Sequence, residues 1–580
     1  MRLFTLLSVL ALAAACAPQP AASTSAPAPT VTLASPSAAP TTPPPILTPG
    51  FLGVLYSDAV PQALREQVEA ADIPFHASMR LDVAQPGDTG TRFRWVYALA
   101  APFPTVRDGV TSDELRSLWT SGGIPLLMAE STRRAFTAQW GEPASGSVRS
   151  VAEDQLLDLA WKESAWAILP FESLDPKWKV LTVDGQSPIR KGFDLAKYPL
   201  VVDFTLHDST NLQAPIPNLP AGNYDPSKLT TLIMTGVTAL VRATAVTMEL
   251  KGATYPGEKV RNLFREADLM HVSNEIPFFS TCPPPKPDAT GPLVFCSSPK
   301  YMELLTDIGT DVIELTGNHF ADYGPNAMYE TLNIYRANGI PYFGGGENLQ
   351  DALKPALFEV NGNKIAFIGC NKPDVNRFPT ATEYRPGAAP CNFPYLQQKI
   401  AELKSQGYVV VSTFQWNESY DYNPSPQQRN DFRRMAEAGA SIVSGSQAHY
   451  AQTMEFYNGA FIHYGLGNLF FDQMGDQNWM PPGIRRLFFD RYVIYDGKLV
   501  SIELITAMLE DYSRPRIMTE EERAAFLNEY FYYSGWTTVL ALTPTPTITP
   551  TLTPMSLPPQ PETSTPSPPR LPPRNEGDLP

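Results

Sequence analysis

The sequence predicts an α/β protein with two folded regions between proline-rich ends. Short apolar stretches of strand character alternate with segments of helical periodicity, which is typical of α/β folds. Hydrophobic residues make up 43% of the 580-residue chain, enough to bury a sizeable core. Polar residues gather just after several of the apolar stretches, where α/β proteins place their sites. A chain of this length has room for about two to four domains.

The charge balance excludes one class of partner. The chain has 44 Lys and Arg against 59 Asp and Glu, which gives a net charge of −15 and a pI near 5.0. A chain this acidic does not attract polyanions over its whole surface, so we expect no nucleic acid partner and no anionic bilayer recognised through charge. An anion must be held by a local site.

The first 50 residues have the features of an export signal and a tether. In residues 1–15 one Arg precedes an apolar run of about a dozen residues, which is typical of a cleaved signal peptide. The motif Ala13-Ala14-Ala15-Cys16 resembles a bacterial lipobox, with Ala13 where Leu is more usual, and predicts lipidation of Cys16. An ordinary signal peptide with an incidental cysteine is the alternative. Residues 16–50 and 542–580 are rich in Pro and Thr, so we expect a tether and a disordered tail.

Cysteine usage agrees with export to the extracytoplasmic face of the cell membrane. Four cysteines remain beyond Cys16, an even number that suits disulfides in an oxidising compartment. Their spacing favours the local pairs Cys282–Cys296 and Cys370–Cys391, although three connectivities are formally possible. A zinc site is the competing hypothesis, but the sequence contains no C-x-x-C motif.

The first folded region covers residues 51–205. Its apolar stretches predict strands at 51–56, 93–99, 166–169, 179–183 and 200–204. Thr111 and Ser112, followed by two acids and apolar spacing, open a predicted helix. This order of elements resembles a type II periplasmic solute-binding domain of the phosphate-binding kind. The resemblance implies that an anion binds at the helix N-terminus formed by Thr111 and Ser112, and an N-cap without a ligand is the alternative.

The second folded region covers residues 229–508 and is followed by an extension at 509–541. Its strand patterns are separated by helical patterns, and its last part has the alternation of antiparallel strands. We predict strands at 232–236, 269–273, 311–315, 364–369, 408–413, 441–444, 453–457, 460–464, 491–495 and 499–505, and helices at 325–338 and 426–438. His271 and His463 lie in these apolar strands and are predicted to be structural.

Polar motifs lie at the ends of these predicted strands. Neighbouring Asn and His residues present an amide oxygen and an imidazole, which are good partners for a metal ion or a phosphate oxygen. The motifs are Ser273-Asn274-Glu275, Asn318-His319 with Asp322-Tyr323-Gly324, Gln415-Trp416-Asn417-Glu418, Gly445-Ser446-Gln447-Ala448-His449, and a closing block at 464–471. In this order they resemble the CapA family of bacterial capsule (poly-gamma-glutamate) synthesis proteins.

The resemblance implies a fold and a set of roles. The fold is the four-layer αββα arrangement of calcineurin-like metallophosphoesterases, preceded here by the smaller α/β domain. The implied metal ligands are Glu275, Asn318, His319 and His449. The implied catalytic residues are His319, His449 and Asp322, and the implied ligand-binding residues are Arg242, Asn274, Gln415 and Gln447.

Three metal ligands of the family are replaced in this chain. Val237 stands where the family has an Asp, and Gln415 and Gln447 each stand where it has a His. Hydrolysis by paired metals needs two cations about 4 Å apart, held by an anionic ligand and several imidazoles. Valine offers no lone pair, and a glutamine oxygen is a weaker donor than imidazole for transition metals. We therefore expect one divalent metal (Mn, Zn or Fe) or none, and the sequence leaves open whether the protein is an enzyme.

The leading functional hypothesis is a lipid-anchored cell-envelope protein of the CapA type. It would act in capsule, poly-gamma-glutamate or other extracellular polymer synthesis, with an anionic polymer or phosphorylated precursor and the assembly proteins as partners. Two alternatives remain. One is a single-metal phosphoesterase or polymer-modifying hydrolase, and the other is a lipoprotein that binds a phosphate-like anion.

Overall fold

The computed structural model describes residues 53–71, 78–123, 125–208, 219, 221–287, 293–372, 379–446, 448–475 and 483–536. Cys16, Gln447, the signal, the tether and the C-terminal tail lie outside these described residues. The described residues belong to one compact unit. None of their helices is long and apolar enough to cross a membrane.

The first domain is built on one mixed sheet with the order β1-β2-β9-β3-β7-β5-β6, to which β8 and β4 are added beside β3. Its strands are β1 (Gly53–Tyr56), β2 (Ser78–Val83), β3 (Thr91–Pro102), β4 (Gly109–Val110), β5 (Leu126–Met128), β6 (Val148–Ser150), β7 (Ala167–Pro170), β8 (Trp178–Val183) and β9 (Val201–Asp208). Its helices are α1 (Gln62–Ala70), α2 (Ser112–Ser121), α3 (Glu130–Trp140) and α4 (Leu156–Glu163). The core includes the fully buried indoles of Trp95, Trp119 and Trp166.

The second domain contains two larger sheets and a two-stranded ribbon, β15-β18. Its strands are β10 (Leu229–Met234), β11 (Val237–Thr238), β12 (Leu269–Asn274), β13 (Val312–Glu314), β14 (Tyr342–Phe343), β15 (Gly345–Gly346), β16 (Ala356–Val360), β17 (Asn363–Asn371), β18 (Gly387–Ala388), β19 (Val409–Gln415), β20 (Ile442–Ser444), β21 (Met454–Tyr457), β22 (Ala460–His463), β23 (Asn468–Phe470), β24 (Arg486–Tyr495), β25 (Lys498–Glu510) and β26 (Arg514–Ile517). Its helices are α5 (Arg242–Lys251), α6 (Arg261–Arg265), α7 (Met302–Asp307), α8 (Gly324–Ala337), α9 (Leu349–Ala352), α10 (Phe393–Ser405), α11 (Pro426–Ala438) and α12 (Glu520–Tyr533).

The two larger sheets face each other, and helices cover their outer faces. One sheet has the order β14-β13-β12-β10-β24-β25-β26, and the other has the order β16-β17-β19-β20-β22-β21. Alternate residues of a strand point to opposite faces. Leu232 of β10 and Phe367 of β17 share the core between the sheets, whereas Ile233 packs against α5–α8 and Ala366 against α10 and α11. The α/β prediction with four αββα layers is therefore confirmed.

The second domain runs past residue 508, which is the end that the sequence predicts for it. The strand β25 continues to Glu510, and β26 pairs with it antiparallel. Helix α12 then returns to the core, where Phe526 and Tyr530 are buried. The ring of Phe526 stacks on a ring of β24, and the ring of Tyr530 packs edge-on against that of Phe526. Residues 509–536 thus complete the second domain, and aromatic residues of α12 pack onto its core.

Two disulfides connect neighbouring elements of the second domain. Cys282 is bonded to Cys296, with Cα atoms 5.8 Å apart. Cys370, at the end of β17, is bonded to Cys391 just before α10, with Cα atoms 4.9 Å apart. Both local pairs favoured by the sequence spacing are confirmed.

Candidate functional site

The polar motifs come together where parallel strands of both sheets end. β12 and β13 are parallel in one sheet, and β17, β19 and β20 are parallel in the other. The short strand β11 lies between β12 and β23, so that Val237 is in register with Ser273 on one side and Asn468 on the other. This edge is a usual place for a ligand site in α/β proteins. Val237 is fully buried there and contributes only methyl groups.

His449 and Glu275 face each other at the centre of this edge. The imidazole of His449 lies against the ring of Phe471, and its Nδ1 donates to Oδ1 of Asn468 at 2.8 Å. The amide nitrogen of Asn468 donates in turn to Gln473, so its oxygen must face the imidazole. Nδ1 therefore carries a proton, and Nε2 lies 4.0 Å from Oε1 of Glu275. This is the orientation of a metal-binding or proton-accepting histidine.

His319 is oriented by Asp322 in the same manner. Its Nδ1 donates to Oδ2 of Asp322 at 2.6 Å, and that oxygen also accepts the backbone N–H of Phe295 at 2.8 Å. The ring of Phe295 packs against the imidazole with centroids 4.7 Å apart. The Asn-His…Asp motif thus forms one unit in which the carboxylate positions the histidine.

Gln415 contacts one of the ligands that the resemblance implied. Its Nε2 donates to Oδ1 of Asn318 at 3.2 Å, which uses one of the two lone pairs of the oxygen that would bind a metal. Its own Oε1 is buried and has no hydrogen-bond partner among the described residues. A buried amide oxygen without a partner costs free energy, so this atom marks a position where a ligand or an ion with a positive charge or a donor fits.

Arg242 and Asn274 are engaged by the protein itself. The guanidinium of Arg242 forms a bidentate pair with the carboxylate of Asp472, and both side chains are largely buried. The amide nitrogen of Asn274 donates to the carbonyl of Ile276 and to the hydroxyl of Tyr335. Sequence reasoning predicted ligand contacts for both residues, but their described contacts are structural because each has an intramolecular partner of complementary charge or polarity.

A buried polar network beneath the site was missed by the sequence analysis. Nε2 of His271 lies 3.1 Å from Glu314, and the hydroxyls of Thr316 and Ser446 donate to the same carboxylate. Burial would raise the pKa of Glu314, but the hydrogen bonds from His271, Ser446 and Thr316 outweigh it and hold the pKa below its ordinary value. The signal in the sequence was a glutamate inside an apolar strand. His463, also fully buried, is bound at both ring nitrogens by Asp490 and the carbonyl of Gln452.

The residues present do not fit a paired metal site. Within the described part of the chain, no three His, Cys, Asp or Glu side chains are grouped so that they could hold a metal ion. Val237 supplies no ligand atom where a bridging carboxylate is needed. The side-chain oxygen of Asn318 accepts a hydrogen bond from Gln415. The donors that remain close together are Glu275 and His449, which suit at most one ion.

The N-terminus of helix α2 in the first domain binds a carboxylate of the protein itself. Thr111 forms a capping box with Glu114, and the backbone N–H of Ser112 donates to Oδ1 of Asp184 at 2.9 Å. An internal carboxylate thus lies where the resemblance to a solute-binding domain implied an anion. The geometry agrees with the alternative of an N-cap without a ligand.

The sheet order and the packing of the helices define the second domain as a four-layer αββα domain with polar residues at its strand ends. Comparison with known proteins is more specific: the family described as "Bacterial capsule synthesis protein PGA_cap" matches residues 231–473. The resemblance of this part of the chain to the CapA family, predicted from its motifs, is confirmed.

Named relatives agree with that family. The chain is 31% identical over 226 residues to "PGA biosynthesis protein CapA" of Bacillus subtilis, which is 39% of this chain and 59% of the relative. It is 33% identical over 177 residues to "Capsule biosynthesis protein CapA" of Bacillus anthracis, which is 30% of this chain and 43% of the relative. The chain thus spans about half the length of these curated relatives.

A solved structure of NAD nucleotidase from Haemophilus influenzae is also similar. The likeness has 13% identity and a TM-score of 0.29, and it covers 52% of this chain and 55% of the nucleotidase. The fold assignment therefore rests on the sheet order and packing described above.

Proposed function

We propose that this protein takes part in the assembly of a capsule, poly-gamma-glutamate or a related extracellular polymer, anchored to the outer face of the membrane through a lipid on Cys16. In this role its four-layer domain binds an anionic polymer or a phosphorylated precursor and cooperates with the polymer-assembly proteins. The names of the CapA relatives support the process. The lipobox-like motif at Cys16 supports the anchor.

The observation that carries the binding role is Val237 at the centre of the strand-end edge. A carboxylate there would add a negative charge that repels an anion unless cations neutralise it. Valine removes that charge, and Gln415 adds an amide where the family has an imidazole. What remains is two oriented imidazoles and the Gln415 amide beside one carboxylate, Glu275. Imidazoles that are protonated at both nitrogens donate to an anion, whereas the site lacks ligands for hydrolysis by paired metals.

A second function, a single-metal phosphoesterase, is favoured by the orientation of the two histidines. Asn468 directs Nε2 of His449 toward Glu275, and Asp322 orients His319. A divalent ion held by His449 and Glu275 would polarise a phosphoryl oxygen when bound. His319, positioned by Asp322, would hold and transfer a proton at its Nε2.

The test compares binding and hydrolysis on the same purified full-length protein. Calorimetric titration with poly-gamma-glutamate is expected to show binding that His319→Ala/His449→Ala weakens, while His207→Ala, a histidine change in the first domain, leaves it unchanged. Hydrolysis of bis(p-nitrophenyl) phosphate with added Mn²⁺ is expected to stay near background. Binding unchanged in the double variant would overturn the proposed role, and turnover that His319→Ala abolishes would establish the phosphoesterase instead.

A further inference from the structure

A cavity of about 200 Å³ lies where the first domain meets the last strands and helix of the second domain, apart from the strand-end site. Its walls are the loop after β3, strand β8, strands β24 and β25, and helix α12. Much of the lining is apolar. The charged residues that line it are Lys179, Arg190, Arg491, Arg523, Asp108 and Glu503.

The cations of this cavity outnumber its carboxylates by two. Asp108 is shared by Lys179 at 2.7 Å and Arg523 at 2.6 Å. Glu503 is shared in the same way by two arginines, Arg190 at 2.6 Å and Arg491 at 3.0 Å. Three of the four cationic side chains are only 14 to 16% exposed, so solvent screens the excess charge poorly.

Burial disfavours the protonated form of two cations that line the cavity. Burial lowers the pKa of Lys179 to about 8, even though Asp108 and Glu503 act in the opposite direction. Burial likewise lowers the pKa of Arg523 below its ordinary value, against the attraction of Asp108, Glu503 and the exposed Glu520 of α12. For both groups burial outweighs the attraction of the carboxylates beside them, whereas Glu503 raises the pKa of Arg190 above its ordinary value.

Hydrogen-bond donors in the cavity wall exceed the acceptors that the protein supplies. Among the described residues, Arg523 donates to the carbonyl of Val106 and to Asp108, and Arg190 donates twice to a single oxygen of Glu503. Each guanidinium has five N–H donors, so several are left over. The ion pair of Arg491 with Glu503 lacks hydrogen-bond geometry, and the buried hydroxyl of Thr506 in the cavity wall has no partner in the described structure.

We infer that this inter-domain cavity binds a small dianionic oxyanion of the phosphate type, either free or as a small ester. A dianion balances the two uncompensated positive charges. Its oxygens accept from the remaining guanidinium N–H groups in the planar geometry that arginine provides, and from the Thr506 hydroxyl. Because residues of both domains bind it, the anion also stabilises the contact between the first domain and the second.

The test is calorimetric titration of the full-length protein with inorganic phosphate, sulfate and glycerol 1-phosphate. Arg523→Gln is expected to weaken phosphate binding by about tenfold, because it removes a charge-assisted donor pair. Thr506→Val, which keeps the side-chain shape, is expected to weaken it severalfold. Arg516→Gln removes an equal charge outside the cavity and should leave the affinity unchanged. Tighter binding of glycerol 1-phosphate than of phosphate would identify the ester as the natural form.

Sulfate adds a pH test because it stays dianionic. Its affinity is expected to fall as the pH rises through about 8, where Lys179 loses its proton. The inference is overturned if no anion binds, if His449→Ala abolishes binding while Arg523→Gln and Thr506→Val do not, or if glutamate binds more tightly than phosphate. Should Arg523→Gln fail to fold, Thr506→Val decides.

Discussion

At the scale of single residues, the two histidines of the strand-end site are held by neighbours that orient their rings. Asn468 holds His449 and Asp322 holds His319, each through Nδ1. Below them the carboxylate of Glu314 binds His271 and two hydroxyls in a fully buried network. A buried charge that loses a partner is costly, so removing one partner of such a group should destabilise the fold.

Glu314→Gln is therefore expected to lower the free energy of unfolding by about 3 kcal/mol, because it removes the charge that His271 and two hydroxyls bind. The pKa of Glu314 is lower in the folded protein than its ordinary value of 4.5. Its contribution to stability is thus complete above that value and is lost as the pH falls through the folded pKa. Urea unfolding at several pH values should show the difference from wild type shrinking below pH 4.5. Glu359→Gln, at an exposed position of β16, is the control, and an equal loss there would contradict this account.

At the scale of single elements, α5 begins in an unusual manner. Arg242 has a left-handed backbone conformation, with φ of 48°, and its side chain lies over the rings of Phe295 and Phe471. Asp472, which comes 230 residues later in the chain, binds both this guanidinium and the backbone N–H of Ala243. One carboxylate thus caps the helix and neutralises its first cation.

Asp472→Ala is expected to lower the free energy of unfolding by about 3 kcal/mol, since it leaves a largely buried guanidinium unpaired and a helix uncapped. Asp496→Asn, which removes the charge of the exposed partner of Lys228 and tolerates the left-handed backbone there, should change it by less than about 1 kcal/mol. Chemical denaturation of both variants measures the difference. Equal effects would show that Asp472 has no special part in stability.

The disulfides connect neighbouring elements of the second domain, and each should stabilise the fold by constraining the unfolded chain. Replacing Cys370 and Cys391 together by Ala is expected to cost about 3 kcal/mol, as is the pair Cys282 and Cys296, because the closed loops are of similar length. Urea unfolding of each double variant beside the wild type tests this. A midpoint that does not move would mean that the bond contributes nothing beyond the contacts around it.

At the scale of the whole molecule, the two domains share apolar packing and ion pairs. Leu229, Val493 and Val500 of the second domain belong to the core of the first, and Phe103 of the first lies among the rings of the second. Arg190 of the first domain binds Glu503 of the second. Contacts of this kind couple the unfolding of one domain to that of the other.

Calorimetry of the full-length protein is therefore expected to show one cooperative thermal transition for both domains. Phosphate should raise its midpoint in the wild type and less in Arg523→Gln, because a ligand of the inter-domain cavity stabilises the folded state. Two resolved transitions, with only one of them sensitive to phosphate, would contradict the coupling.

The layers of the fold and the place of the site could be predicted because local patterns carry them. Strand periodicity, the cysteine spacing and the order of the polar motifs are all contained in short stretches of sequence. The contacts that decide function could not be predicted in this way. Gln415 meets Asn318, and Arg242 meets Asp472, only after distant strands are brought together. The inter-domain cavity depends on residues from both domains and left no motif in the sequence.

Metal content tests the central claim most directly, namely that Val237 and the replaced histidines leave a site without paired metals. The metal content of the full-length protein should be measured by mass spectrometry after incubation with Mn²⁺ and Zn²⁺. The same measurement should be made on the variants Val237→Asp and His319→Ala/His449→Ala. We predict no more than one ion per wild-type chain, removed by the double histidine change, and a higher content in Val237→Asp. Two ions per wild-type chain, both lost in the double variant, would contradict the account.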